Sequence, residues 1–175
     1  SVGALPTALD QASMIRLSDG RVLLAGGNTA SGVVAHCYLY DPDTRTWETV
    51  ESLPVAKENS LLVELDNGLV LAAGGDTANY STPTANCVLF NPVTRTWAAT
   101  GSLATARFNA AVFKLPNGKV LVAGGTITNL EGSTNTCELY DPTAGTWSSA
   151  ASMASNHSMA NYQMLGTSPF VVGGK

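Results

Sequence analysis

The chain has 175 residues, of which 45% are hydrophobic and only 13% charged, and its formal net charge at pH 7 is −4. This acidic balance argues against nucleic-acid binding, because such proteins normally carry a basic stripe. No apolar run approaches the ~18 residues of a membrane-spanning helix, so no membrane span is expected. Sparse charge together with 17 glycines favours a compact all-β protein whose strands are covered on both faces.

Pairs of glycines mark an internal repeat. They begin at Gly26, Gly74, Gly124 and Gly173, at intervals of 48, 50 and 49 residues. A period of this size indicates a solenoid, a propeller or an array. We expect glycines where backbones approach closely and tryptophans where one repeat packs on the next. The residues assigned to this packing are Gly26, Gly27, Gly74, Gly75, Gly124, Gly125, Trp47, Trp97 and Trp147.

The third repeat shows the strand pattern most clearly. Residues 109–115 and 119–125 are short apolar runs separated by Asn117-Gly118, a pair typical of a tight hairpin turn. A polar loop follows, and then a third short run at residues 136–140, an Asp-Pro turn and a fourth strand around Trp147. Four antiparallel strands, named a to d in chain order, predict one propeller blade.

The three cysteines, Cys37, Cys87 and Cys137, occupy one repeat position. Equivalent positions in neighbouring repeats are expected to lie farther apart than the ~7 Å Cα separation that a disulfide tolerates. The cysteines also lack Cys-x-x-Cys spacing. We therefore expect buried structural thiols and no metal site.

The repeated sequence motifs resemble those of a known family. Asn/Asp-Gly-x-Val-Leu-x-Ala-Gly-Gly followed by Tyr/Phe-Asp/Asn-Pro-x-Thr-x-Thr-Trp resembles the Kelch repeat, most closely that of bacterial Kelch-containing and galactose-oxidase-like propellers. The resemblance covers nearly the whole chain. It implies a β-propeller, a fold used for binding in most members and for catalysis in a few, and it slightly favours an extracellular or secreted location.

The chain contains too few blades to close a ring. Residues 1–10 align with the tail and exit loop of a preceding blade, residues 11–50, 59–99 and 109–149 form blades 1 to 3, and residues 157–175 supply the first two strands of a fourth. Known propellers need at least ~4 blades, and an open stack exposes apolar faces and strand edges. This Kelch-type segment of about three and a half blades is therefore expected to be a piece of a larger propeller, a segment of a longer secreted protein, or part of a ring that a second copy or a complementary propeller chain completes. We favour the last of these.

The candidate binding face carries the longer b–c and d–a loops, because function concentrates on loops above a rigid scaffold. Lys57, Arg107 and His157 share one position just before strand a. An arc of such donors around the channel mouth suits a carboxylate, a sulfate or an acidic peptide. The alternatives are a solvated rim, or Arg107 bracing an inter-blade carboxylate. The predicted binding residues are Lys57, Asn59, Asp76, Tyr80, Arg107, Phe108, Asn109, Asn156 and His157.

Catalytic motifs are sparse. The only histidines are His36 and His157, and no metalloprotease motif, phosphate-binding glycine loop or Ser-His-Asp order is visible. We expect no cofactor and no catalysis from this chain alone. The predicted function is a non-catalytic binding scaffold for an acidic peptide or a glycan. The alternatives are a structural module that builds a propeller by oligomerisation, and part of a Kelch-like carbohydrate-active enzyme of the oxidase or epimerase type.

Overall fold

A computed structural model describes residues 3–128, 132–159 and 161–174. The predicted ranges 1–10 and 157–175 and the b–c loop of blade 3 include residues 1, 2, 129–131, 160 and 175, which lie outside the described residues. In the described part of the chain the regular elements are β-strands, so the all-β prediction is confirmed. No helix in this part is long and apolar enough to cross a membrane.

Three four-stranded antiparallel sheets follow one another along the chain, each with its strands in sequence order. The first sheet contains β1 (Ser13–Arg16), β2 (Val22–Ala25), β5 (Cys37–Asp41) and β6 (Thr46–Thr49), and a small hairpin, β3 (Asn28–Thr29) and β4 (Gly32–Val33), occupies its b–c loop. The second contains β7 (Leu61–Glu64), β8 (Val70–Ala73), β9 (Cys87–Asn91) and β10 (Thr96–Ala99). The third contains β11 (Ala111–Lys114), β12 (Val120–Ala123), β13 (Cys137–Asp141) and β14 (Thr146–Ala150). A two-stranded sheet of β15 (Asn161–Leu165) and β16 (Ser168–Val172) comes last.

Local turn chemistry explains the repeated hairpins between strands a and b. The side-chain oxygens of Asn67 and Asn117 accept hydrogen bonds from backbone N–H groups two residues later, both at 3.1 Å. Gly68 and Gly118 follow with φ of 78°, a left-handed conformation that glycine adopts without strain. The turns therefore set the same antiparallel register in each blade.

The glycine pairs join each blade to the next. The N–H of Gly75 donates to the carbonyl oxygen of Arg107 at 2.9 Å, across the junction between blades 2 and 3. A Cβ added to Gly74 would lie 2.3 Å from the same oxygen. Gly26 and Gly124 face the equivalent carbonyl oxygens of Lys57 and His157. Close backbone approach therefore requires glycine here.

Tryptophans from strand d complete the blade junctions. Trp147 packs on the buried core of blade 2, and its indole N–H donates to the Gly101 carbonyl oxygen at 2.9 Å. Trp97 packs in the same way on the core of blade 1 and donates to the Glu51 carbonyl oxygen at 3.0 Å. The three cysteines are buried free thiols, as predicted. Burial raises the pKa of the Cys37 thiol to about 11.

Candidate functional site

A cavity of about 370 Å³ lies along the innermost strands. Strands β1, β7, β11 and β15 contact one another in that order and form a continuous wall. The amide side chains of Asn59 and Asn109 line the cavity together with Tyr162 and the apolar side chains of Met14 and Leu62. The cavity therefore combines amide groups with one aromatic ring and aliphatic surface.

One unusual backbone conformation recurs two residues before each innermost strand. Gln11, Asn59, Asn109 and Met159 have φ values of 54°, 52°, 53° and 51°. Residues other than glycine rarely adopt this left-handed region, in which asparagine is enriched several-fold. The N–H of Asn59 donates to the Gln11 carbonyl oxygen, and that of Met159 to the Asn109 carbonyl oxygen, both at 3.1 Å. The repeated turn thus brings Asn59 and Asn109, two of the predicted binding residues, to the same cavity.

Lys57 does not reach the channel mouth, which corrects the predicted basic arc. Its side chain is fully buried, and its Nζ donates to the carbonyl oxygens of Ala72 at 3.4 Å and Asn86 at 3.2 Å. Among the described residues no salt bridge pairs it with a carboxylate. Burial lowers the pKa of Lys57 to about 8, against weaker opposing interactions with the Cys87 and Cys37 thiols.

Arg107 is also buried and acts as a brace inside blade 3. Its guanidinium donates to the carbonyl oxygens of Gly124 at 2.7 Å and Thr136 at 2.9 Å, and it forms a salt bridge with Glu138 at 2.8 Å. Glu138 also accepts backbone hydrogen bonds from Ala104 at 2.7 Å and Thr105 at 3.1 Å. The structure therefore contains a carboxylate brace, but Glu138 belongs to blade 3 itself and is not the inter-blade carboxylate of the alternative prediction.

His157 occupies the same position in the fourth blade and contacts the same kind of group. Its Nδ1 lies 2.8 Å from the Gly173 carbonyl oxygen, and its Nε2 lies 3.0 Å from Ser155 Oγ. Asn156 is exposed beside it. The three basic side chains therefore turn towards strand ends of their own blades and do not form an arc of free donors.

Phe108 is fully buried, so it is not available to a ligand, contrary to the prediction. Its ring packs against the half-buried ring of Tyr80, with the centroids 5.9 Å apart. Tyr80 has a left-handed φ of 64° in the b–c loop of blade 2. Asp76 holds this loop, because its Oδ1 accepts hydrogen bonds from the N–H groups of Ala78 at 3.2 Å and Thr82 at 2.8 Å.

A polar cluster that the sequence did not reveal lies between blades 1 and 2. We orient the Gln11 amide so that its nitrogen donates to both oxygens of Glu58 at 2.9 Å and its oxygen accepts from the Tyr80 hydroxyl at 3.1 Å. Glu58 is fully buried opposite Asp76. Burial raises the pKa of Glu58 above its ordinary value, and repulsion by Asp76 adds to this effect. Sequence spacing provided no signal for this contact, because Gln11 lies at the start of blade 1 and Glu58 in the connection that leads into blade 2.

The described residues contain no group of three or more His, Cys, Asp and Glu side chains that would hold a metal ion. The site that remains is the cavity with Asn59 and Asn109, and the cluster of Glu58, Asp76 and Tyr80 adjoins it through Gln11. Amides both donate and accept hydrogen bonds. The arrangement is therefore suited to holding polar ligands.

Comparisons with known proteins agree with the geometry. Residues 115–154 match the model of the Kelch motif. Among solved structures the chain is similar to YjhT, a Kelch-type propeller, with a TM-score of 0.82 and 19% sequence identity. The similarity covers 99% of this chain and 61% of that one, so the chain spans about three fifths of the length of YjhT. A search of curated protein sequences finds no match. The predicted segment of a Kelch-repeat β-propeller is thus confirmed.

Proposed function

We propose that the chain is a non-catalytic binding scaffold and that the cavity along its innermost strands recognises a neutral, hydroxyl-rich ligand such as a glycan. The observation that carries the proposal is the shared conformation of Asn59 and Asn109. Both residues are left-handed, both lie two residues before an innermost strand, and both line the same cavity. Two amides at equivalent positions of neighbouring blades form a pair of matched contacts for one ligand.

The positions of the basic side chains favour a glycan over an acidic peptide. Lys57 and Arg107 direct their donors to carbonyl oxygens and to Glu138 inside the blades, so their charges are not presented to a ligand. An amide instead matches a hydroxyl group, which also donates and accepts. The ring of Tyr162 lines the cavity and offers an apolar face for packing against a sugar.

Substitution by glycine tests the proposal without straining the backbone. Asn59→Gly and Asn109→Gly remove the amides, and glycine adopts a left-handed φ freely. Asn79→Gly is the matched control, because Asn79 is exposed with a φ of 51° and does not line the cavity. Chemical shift changes in NMR spectra should identify neutral oligosaccharides that bind the unmodified chain and the Asn79 variant but not the two cavity variants.

The same titration with a poly-glutamate peptide distinguishes the two ligand classes. Glycan binding should be lost in both cavity variants, whereas the peptide should not bind the unmodified chain. Binding of the peptide with unchanged affinity in the cavity variants, or the absence of binding by every oligosaccharide, would contradict the proposal.

A second candidate function, assembly into a propeller with another polypeptide, is favoured by a separate observation. Four large apolar side chains of the last sheet are about half exposed, namely Tyr162, Leu165, Phe170 and Val172. Contiguous exposed apolar surface marks interaction sites. Sedimentation equilibrium tests self-association, and a monomer at all concentrations would exclude a second copy as the partner.

A further inference from the structure

The residue that follows each glycine pair faces a residue of the connection that leads into a blade. The facing pairs are antiparallel bridges, namely Asp10–Asn28, Glu58–Asp76 and Phe108–Thr126. In blade 1 a carboxylate therefore faces an amide. Of these three pairs, Glu58–Asp76 in blade 2 is the one in which two carboxyl groups face each other.

The two carboxyl groups of blade 2 lie side by side. The N–H of Glu58 donates to the Asp76 carbonyl oxygen, and the N–H of Asp76 donates to the Glu58 carbonyl oxygen, both at 2.8 Å. Directly opposite residues of an antiparallel pair have Cβ atoms about 4.5–5.5 Å apart, and like charges at such positions are destabilising. Both residues are fully buried. Two negative charges here would therefore be costly.

The surrounding side chains do not neutralise the pair. Within the described ranges no salt bridge includes Glu58 or Asp76. The neighbouring cation, Lys57, directs its Nζ to backbone carbonyl oxygens of blade 2. The other titratable groups near Glu58 are the Asp10 carboxylate, which adds negative charge, and Tyr80, whose backbone N–H donates to Glu58. Buried carboxylates without a cation are strongly unfavourable.

One oxygen of the pair is buried without a hydrogen-bond donor. Asp76 Oδ1 accepts hydrogen bonds from the N–H groups of Ala78 at 3.2 Å and Thr82 at 2.8 Å. Its Oδ2 has no partner in the part of the chain that the structure describes. The Glu58 oxygens, in contrast, accept from the Gln11 amide at 2.9 Å. A free acceptor beside a second buried carboxyl group is the arrangement in which two acids hold one proton.

We infer that Glu58 and Asp76 share one proton, and that loss of this proton with rising pH weakens ligand binding in the adjoining cavity. The shared hydrogen does in blade 2 what the amide hydrogens of Asn28 do at the equivalent position of blade 1. Burial and the charge of Asp76 raise the pKa of Glu58 above its ordinary value of 4.5, in agreement with a retained proton. The effect on binding, but not the shared proton, rests on the proposed function.

A chain of contacts connects the pair to the cavity. Asn79 and Tyr80 are consecutive left-handed residues, with φ of 51° and 64°, in a loop that Asp76 holds through its Oδ1. Such backbone strain persists only where surrounding contacts maintain it. The Tyr80 hydroxyl donates to Gln11 at 3.1 Å, and the amide groups of Gln11 and Asn59 approach to 3.4 Å. Repulsion between two ionised carboxylates should therefore loosen this loop and the amide of Asn59.

Asp76→Asn tests the shared proton, because it copies the pair of blade 1 and keeps Oδ1 for the loop. Asp43→Asn is the matched control, since it removes one carboxylate from an exposed turn. Because the folded pKa is the higher one, stability should fall as pH rises above 4.5. The melting temperature of Asp76→Asn should exceed that of the unmodified chain and of the control by at least about 2 °C at pH 8, and the difference should shrink towards pH 4.5. Glu58→Gln should show the same advantage.

Carbon-13 NMR of the carboxyl groups measures the proton without a ligand. One carboxyl carbon of the pair should titrate above pH 4.5, and the Tyr80 N–H and the Asn59 side-chain amide should shift over the same pH range. These shifts should be absent in Asp76→Asn. The neutral oligosaccharide selected with the cavity variants should bind the unmodified chain at least about fivefold more weakly once the pair has lost its proton, whereas its affinity for Asp76→Asn should not change.

The inference is overturned if both carboxyl carbons titrate at or below the ordinary values of their residue types, or if Asp76→Asn melts no higher than Asp43→Asn at pH 8. It is also overturned if millimolar calcium chloride stabilises the unmodified chain but not Asp76→Asn, because a cation would then neutralise the pair. Oligosaccharide binding that does not change with pH would overturn the link to the cavity. If the pair titrates as expected and no oligosaccharide binds, the proposed function alone fails.

Discussion

Lys57 and Arg107 occupy equivalent positions, yet we expect their replacement by methionine to change stability in opposite directions. The difference lies in strand c. Arg107 pairs with Glu138, whereas the equivalent of Glu138 in blade 2 is Val88, so Lys57 lacks a carboxylate partner there. Methionine keeps the aliphatic length of both side chains and removes the charge. The pair of variants therefore separates the free-energy cost of a buried charge that lacks a carboxylate partner from the contribution of a buried charge that has one.

The pKa of Lys57 determines how much Lys57→Met is expected to stabilise the folded chain. A value of about 8 in the folded state, against 10.5 when unperturbed, means that holding the ammonium inside the blade costs about 3 kcal/mol at pH 7. Both carbonyl contacts are long, and the Asn86 oxygen already accepts from Gly74 N–H at 3.1 Å. Lys57→Met should therefore raise the free energy of unfolding by about 1–3 kcal/mol at pH 7.

The pH dependence has a definite sign. Because the folded pKa is the lower one, the unfolded state binds more protons between about pH 8 and 10.5. Stability of the unmodified chain relative to Lys57→Met should rise across this window, and the advantage of the variant should be lost near pH 10.5. Comparing the two proteins at each pH cancels the titration of groups that do not interact with Lys57, whereas Cys37 and Cys87 do interact with it and contribute to the difference.

Arg107→Met should instead lower the free energy of unfolding by about 3–5 kcal/mol, because Glu138 is left buried without its cation. The double variant Arg107→Met/Glu138→Gln should lose less than the single one, since no charge is then uncompensated. Urea denaturation followed by tryptophan fluorescence at pH 7 and pH 10 measures all four proteins. Equal destabilisation by Lys57→Met and Arg107→Met would refute the reasoning.

Three further predictions concern the blade junctions. Gly74→Ala should lower the free energy of unfolding by more than about 3 kcal/mol, since the new Cβ lies 2.3 Å from the Arg107 carbonyl oxygen. Gly68→Ala, which has open space around it, should cost only about 1 kcal/mol because of its left-handed φ. Equal losses of stability in thermal melts would contradict the role of the Gly74 contact. Trp147→Phe should cost about 1 kcal/mol through the lost indole hydrogen bond, and an unchanged urea midpoint would exclude that contribution. The buried thiol of Cys37, with its pKa raised to about 11, should react with a thiol reagent at pH 8 only after urea unfolding, and rapid labelling of the folded chain would argue against its burial.

Much of the fold follows from local sequence. The Asn-Gly turns, the Asp-Pro turns and the 50-residue spacing of Trp47, Trp97 and Trp147 indicate four-stranded blades, because hairpin geometry depends on a few adjacent residues. The glycine pairs were likewise interpretable as packing positions. Their partner atoms, the carbonyl oxygens of the next blade, became visible only in the structure.

The candidate site shows where sequence reasoning reached its limit. Alignment grouped Lys57, Arg107 and His157 correctly as one repeat position but placed their side chains at the channel mouth. Whether a side chain at this position points outwards or into its own blade depends on the turn that follows it, in which Asn59 and Asn109 are left-handed. It also depends on strand c about 30 residues later, where Glu138 provides a partner for Arg107.

The sequence by itself thus determined the repeat, the strand order and the amide residues that precede the innermost strands, since each depends on short-range pattern. Only the tertiary structure decided which polar groups are available to a ligand. Burial of Lys57 and Arg107 and the contact of Gln11 with Glu58 join residues from distant parts of the chain. The physical reason is that the groups around a buried charge, backbone carbonyls for Lys57 and also the Glu138 carboxylate for Arg107, come together only when the chain folds into blades.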